Sequence, residues 1–147
     1  NIQAITVRGN HDTEISPQSK LSSESISYLH NLPARVSLGS ILLYHDSLRD
    51  VPTRTFTLED AAAELDTIAT NYPAIDTIFR GHTHAVQAFV RKGFHTQYGT
   101  FKKRKMTCND GGLYLLSPGS LGMPDQDNKP SYGIFDTTTK EFRIILL

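Results

Sequence analysis

Three short runs in this chain each stop at a cluster of amide, imidazole and carboxylate side chains. "IQAITV" runs into "RGNHD" over residues 2–12, "ILLY" into "HDS" over 41–47, and "AIDTIF" into "RGHTH" over 74–84. Near-continuous apolar runs of this length are typical of strands buried on both faces of a parallel sheet. In open α/β sheets the ligand crevice lies beyond the carboxyl ends of the strands, so residues far apart in sequence converge there. The placement therefore predicts a central sheet whose strand ends carry the chemistry, with Asn10, His11, Asp12, His45, His82 and His84 as the residues of interest. His82 and His84 are two apart, so in an extended segment both side chains leave one face, within reach of two neighbouring metal ions. Two ions about 3.5–4 Å apart can clamp the attacking and leaving oxygens of a phosphoryl group.

The remaining pattern is α/β, followed by β. "SPQSKLSSESISYLHNL" places Leu21, Ile26, Leu29 and Leu32 at roughly helical spacing and predicts a helix over about residues 19–31. "ARVSLGSILLYHD" reads as two short strands around Gly39. "TLEDAAAELDTIATNY" is the clearest helix: Thr57 is its N-cap, Asp60 stands three residues on, and Ala61, Leu65 and Ile68 share a face. After residue 85 come β runs separated by turns: "AVQAFV", a polar hairpin around "GTFKKRKMTCNDGG", "LYLLSPGS", "SYGIFD" and "FRIILL". The expected fold is a layered α/β sandwich in one domain, residues 1–147, with no internal repeat. "IQAITV" looks like an interior strand and residue 1 is not Met, so the chain is expected to be the C-terminal part of a longer protein, with trimming of a short leader as the alternative.

Charge names no partner. The chain balances 15 Lys+Arg against 15 Asp+Glu, which gives no global bias toward nucleic acid or an anionic membrane. No run approaches the roughly 20 apolar residues of a membrane span. Cys108 is the only cysteine, which rules out an intrachain disulfide and a cysteine-based zinc site and suits a reducing cytoplasm. The run Lys102–Lys105 reads as a solvated hairpin tip in preference to a nucleic-acid contact, His95 as a surface residue, and His30 as a helix-end residue. Arg8 and Arg80 flank motif glycines and are assigned either to a phosphate oxygen or to pairing within the fold.

Taken together, "GNHD" at 9–12, His45 and "GHTH" at 81–84, in that order, resemble the calcineurin-like metallophosphoesterases. "LSPGSLGMPDQDNKPSYGIFD" at 116–136 resembles the Pro-Gly-Ser segment and following strand of their small bacterial and archaeal phosphodiesterase branch. The resemblance implies an α/β/β/α sandwich, of which this chain is the C-terminal portion. It also implies hydrolysis of phosphate diesters or monoesters by a water bridging two divalent cations, manganese first, with iron, nickel, zinc or cobalt as alternatives. Carried over by position, Asn10, His45 and His82 would bind one metal and His84 the other. His11 would stabilise the transition state and protonate the leaving oxygen, and Asp12 would position its neighbours. Gly9 is expected to permit the sharp turn at this motif. The implied substrate is a small phosphate ester, with nucleotide-derived diesters among the candidates. Asp46 follows His45 where many members of the branch have Gly, and reads as a capping residue, a nearby charge or an extra ligand. The segment 93–111 is longer than in compact members and could overhang the site. The family's upstream Asp-x-His and Gly-Asp-x-x-Asp do not precede "GNHD" here, so the matched donors are all neutral and leave two cations uncompensated. A binding scaffold without turnover is the rival expectation.

Overall fold

A computed structural model describes residues 4–14, 20–48, 56–125 and 129–147. A 3-10 turn at Asn10–Asp12 is followed by α1 (Ser23–His30), then β1 (Arg35–Leu38) and β2 (Ile41–Tyr44), α2 (Leu58–Asn71) and β3 (Thr77–Arg80). The β-rich half comprises β4 (Val86–Lys92), β5 (His95–Tyr98), β6 (Lys105–Thr107), β7 (Leu113–Pro118), β8 (Ser131–Asp136) and β9 (Glu141–Leu146). Two sheets form: a six-stranded one in the order β1-β2-β3-β7-β4-β5, and a three-stranded one in the order β6-β9-β8.

The parallel centre of the large sheet explains why the polar clusters meet. β2 runs parallel to β3 with Tyr44 opposite Arg80, so His45 and Gly81 leave adjacent strands at the same level. β7 lies parallel on the other side of β3, and β4 returns antiparallel to β7 with Val86 opposite Pro118. His84 therefore enters β4 from that same rim.

Helix α2 covers one face of this sheet. Thr57 and Asp60 close its first turn as a reciprocal capping box. Ala61, Leu65 and Ile68, fully buried, pack with Leu42, Ile78, Phe89 and Leu115. The opposite face of the sheet packs on the small sheet through Ala88, Val90, Tyr114 and Leu116 against Met106, Phe142 and Ile144. Leu113 and Leu115 thus point one way and Tyr114 and Leu116 the other, which is why "LYLL" is apolar without alternation. The layered α/β sandwich is as expected; the described residues supply its helix–sheet–sheet layers, and no residue of α1 is buried.

Three local expectations change. The strand expected over residues 2–7 is not formed at 4–7, its described part. Residues 1–3 lie outside the described residues, and 4–7 are irregular, with Ile5 55% exposed. An apolar strand needs neighbours for its backbone groups, and no strand among the described residues lies beside this one; the Arg8 N–H bonds the Pro33 carbonyl instead (2.8 Å). The helix expected over 19–31 begins only at Ser23, because the Ser22 hydroxyl caps the Ser25 N–H. A strand that sequence periodicity did not isolate, β5, pairs with β4 from Lys92↔His95 to Phe89↔Tyr98.

Candidate metal centre

Asn10 is the hub of the rim. Its side-chain oxygen lies 3.0 Å from His45 Nε2 and 3.3 Å from His82 Nδ1, contacts that bridge 35 and 72 residues of sequence. The two imidazoles meet edge to face with centroids 5.5 Å apart. His82 Nε2, on the other side of its ring, lies 3.7 Å from Asp46 Oδ1. Burial and the neighbouring His82 lower the His45 pKa, with His84 adding to the effect and Asp46 and Asp12 opposing it. His45 is therefore held in the neutral form that donates a lone pair.

The backbone that delivers these groups is unusual at Gly81–His84. His82 and His84 sit at φ 65° and 59°, and the Thr83 N–H bonds the Gly81 carbonyl at 2.8 Å. The extended segment expected here is replaced by a tight turn with two left-handed residues, so period-two alternation does not relate the imidazoles. Gly81 is needed for a different reason: a Cβ there would lie 2.8 Å from His45 Nδ1. Gly9, expected to permit a sharp turn, is extended at φ −90° and ψ 168°.

Beneath the rim lies a buried polar layer. Arg80 is 2% exposed; its Nε donates to the Asp46 carbonyl and its guanidinium lies 3.8 Å from the Phe56 ring centroid. Arg80 thus pairs within the fold, and burial lowers its pKa. Arg8 likewise turns inward on the chain, donating to the His30 carbonyl at 3.3 Å. Glu64, 1% exposed, accepts from Ser47 Oγ (2.7 Å) and the Leu48 N–H (2.8 Å), pinning the loop that follows His45. Burial, followed by Glu64, raises the Tyr44 phenol well above its ordinary value and keeps it neutral. Neither Glu64 nor Tyr44 was singled out from sequence. The available signal was a carboxylate on the Ala61–Leu65–Ile68 face of an otherwise apolar stripe.

The other expected residues are placed less centrally. His11 shares the 3-10 turn with Asn10, and its side chain is exposed. Asp12 Oδ2 accepts the Gly9 N–H at 2.7 Å and closes the turn that presents Asn10. His84 is close enough to His45 to affect its protonation, whereas the hydrogen bonds of the Asn10 side chain among the described residues go to His45 and His82. Among the described residues no group of three or more His, Cys, Asp or Glu is arranged to hold a metal ion. An amide completes the set that does gather: Asn10, His45 and His82, beside the buried Asp46 Oδ1, which has no hydrogen-bond partner among the described residues. One amide oxygen and two imidazoles suit a single divalent cation of mixed N/O preference, and Asp46 Oδ1, facing the other ring nitrogen of His82, places a negative charge beside them.

A profile of the calcineurin-like phosphoesterase superfamily domain matches residues 1–140. Among solved structures, a metallophosphoesterase from Sphaerobacter thermophilus superposes with a TM-score of 0.70 at 22% identity, covering 96% of this chain and 64% of that one. A hypothetical protein from Pyrococcus horikoshii OT3 gives a TM-score of 0.54 at 13% identity, covering 84% of this chain and 44% of its own. The chain thus spans less than two thirds of the length of either structure. No curated protein matches it.

Proposed function

This chain belongs to the calcineurin-like phosphoesterase superfamily, and from that premise we propose that it hydrolyses small phosphate esters, diesters or monoesters, at a two-cation centre on the rim of its large sheet. The observation that carries the reading is the convergence of Asn10 Oδ1 with His45 Nε2 and His82 Nδ1 from segments remote in sequence. Asn10, His45 and His82, with Asp46 beside them, would hold one cation; His84 would serve the other. When bound, such ions activate water and neutralise charge on the phosphoryl oxygens.

The chain's own residues supply position and protons. Glu64 and Arg80 fix the loops that carry His45 and Asp46. His11, exposed at the lip of the turn, is free to reach a substrate and donate a proton to the departing alkoxide. Manganese is the preferred ion, followed by iron, nickel, zinc or cobalt. Two cations require anionic ligands beyond the amide and imidazoles gathered at this rim. No helix among the described residues is long and apolar enough to cross a membrane. The lone Cys108 is buried, which pushes its thiol up to about 12.

One observation favours a second reading, a binding scaffold without turnover: the gathered donors are an amide and imidazoles, with a single carboxylate nearby. Calorimetric titration of Mn²⁺ and assay of a generic aryl phosphodiester separate the two. The enzyme reading expects turnover that chelation abolishes, His82→Ala without metal uptake, and His11→Ala with metal but little turnover. Metal uptake with no turnover supports the scaffold, and turnover that survives exhaustive chelation overturns the metal reading.

A further inference from the structure

The layer between the two sheets opens at one end into a small apolar cavity. Val86 at the start of β4, Ile144 and Leu146 on β9, and Phe101 and Arg104 from the β5–β6 connection line a volume of about 290 Å³, near the lower end of the range for small-ligand sites. The four apolar members all belong to the hydrophobic cluster that joins the sheets, so the cavity continues the core toward solvent. Val86 follows His84 by two residues and stands opposite Pro118, which puts the cavity at the metal-rim end of the large sheet. None of Asn10, His45, His82 and His84 lines it.

Arg104 carries the one charge in this lining, and it stands there against local preference. Lys102 and Lys105 exchange backbone hydrogen bonds at 2.8 and 3.0 Å, and the two residues between them, Lys103 and Arg104, have φ 50° and 63°. A two-residue hairpin with both positions left-handed normally takes Asn-Gly or Asp-Gly. Backbone strain of this kind concentrates at ligand clamps. The Arg104 carbonyl also accepts the Ile144 N–H at 2.9 Å, which fixes the turn against β9 beside the apolar walls. Nearby cations are already matched: Lys92 by Asp110, and Lys105 and Arg143 by Glu141. The Arg104 guanidinium, by contrast, makes no ion pair or ring contact among the described residues.

We propose that this cavity binds a small organic oxyanion, its apolar body seated on Val86, Phe101, Ile144 and Leu146 and its carboxylate or phosphate head paired with Arg104. The apolar walls reward burial of a hydrocarbon or aromatic group in proportion to its area. The guanidinium presents a fork of N–H donors that matches two oxygens of either head. With no carboxylate in the lining to compete for that fork, the charge selects an anion over a neutral molecule of the same shape. Nothing in this recognition requires a metal.

Titration of 2-naphthoate and of 2-naphthyl phosphate into the 147-residue chain, followed by the methyl resonances of Val86, Ile144 and Leu146 with a chelator present throughout, tests the assignment independently of the metal centre and of turnover. Saturable shifts of these methyls are expected, with the tighter of the two ligands identifying the preferred head. Arg104→Asn should weaken that ligand at least about tenfold, as for loss of a charge-assisted contact. Asn tolerates left-handed backbone better than Arg, so this variant should keep its melting temperature, which identifies a folded chain. Uncharged 2-naphthol should bind the parent chain no more tightly than the anion binds Arg104→Asn. Absence of saturable binding by either anion, shifts that leave these three methyls unmoved, or an affinity unchanged in Arg104→Asn overturns the proposal.

Discussion

At the scale of single residues, the rim depends on what is missing as much as on what is present. Any side chain at Gly81 would intrude on the His45 ring, since its Cβ would lie 2.8 Å from Nδ1, closer than real Cβ contacts allow. Gly81→Ala should therefore swing His45 away from Asn10 and weaken Mn²⁺ binding by about 10- to 100-fold, the usual loss when a metal ligand is misoriented; calorimetry measures it. At Gly9 the corresponding contact, to Asp12 Oδ2 and His45 Cε1, is an ordinary 3.4 Å and the backbone is one that any residue adopts. Gly9→Ala should change the affinity little. An equal loss in both variants would show that the glycines act through chain flexibility and not through ring approach. Sequence placed His45 and His82 on one rim because the ends of the parallel strands β2 and β3 lie at the same level, whereas Asn10 reaches that rim from an irregular segment and a 3-10 turn. Sequence could not give the left-handed backbone at His82 and His84, which depends on the Thr83-to-Gly81 hydrogen bond, nor that Asp46 would face His82. Such features are set by neighbours that no local pattern encodes.

At the scale of elements, α2 contributes both to the core and to the rim. Its capping box is complete, with the Thr57 hydroxyl accepting from the Asp60 N–H at 3.2 Å and Asp60 Oδ2 accepting the Thr57 N–H at 2.9 Å. Thr57→Ala should cost about 1 kcal/mol and lower the melting temperature by about 2–4 °C for a domain of this size, without touching metal affinity. Glu64→Ala differs, because it removes the buried carboxylate that holds the Leu48 N–H and the Ser47 hydroxyl. About 1–3 kcal/mol of stability should be lost with the Leu48 contact, and the loop bearing His45 should loosen, so stability and Mn²⁺ affinity should fall together. If affinity holds while the melting temperature drops, Glu64 has no part in positioning His45. The helix was legible in sequence because its cap, its periodicity and its length agree. The segment at 4–7 was misread because apolar composition reports a demand for burial, not the presence of a partner strand; Ile5 meets solvent. β5 was missed because "HTQY" is polar and its pairing with β4 is set by the hairpin, not by hydrophobic alternation.

At the scale of the whole molecule, the two sheets are tied together at the pole away from the metal rim. Asp76 just precedes β3, and Lys140 lies in the turn between β8 and β9; their side chains meet at 3.1 Å. Lys140 Nζ also reaches Ser40 Oγ, at 3.3 Å, in the β1–β2 turn. The Lys140 carbonyl accepts the Cys108 N–H, and the Asp76 carbonyl accepts the Tyr114 N–H. One ion pair thus links the turns that close both sheets. Burial by itself would raise the Asp76 carboxyl, but hydrogen bonds with Thr77, Lys140 and Ser40 outweigh it and bring its pKa below the ordinary 3.8. A carboxylate depressed by folding stabilises the native state above its unfolded pKa, and that contribution disappears as pH falls through the folded value. Asp76→Asn should therefore unfold at lower urea than the parent chain at about pH 7, and the two midpoints should converge as pH falls through the depressed folded pKa of the parent carboxyl. Lys140→Met should shrink the same acid-dependent gap, because the lysine supplies part of the depression. Parallel midpoints for Asp76→Asn and the parent across this range would mean that the ion pair orients the turns without contributing to the stability of the joined sheets.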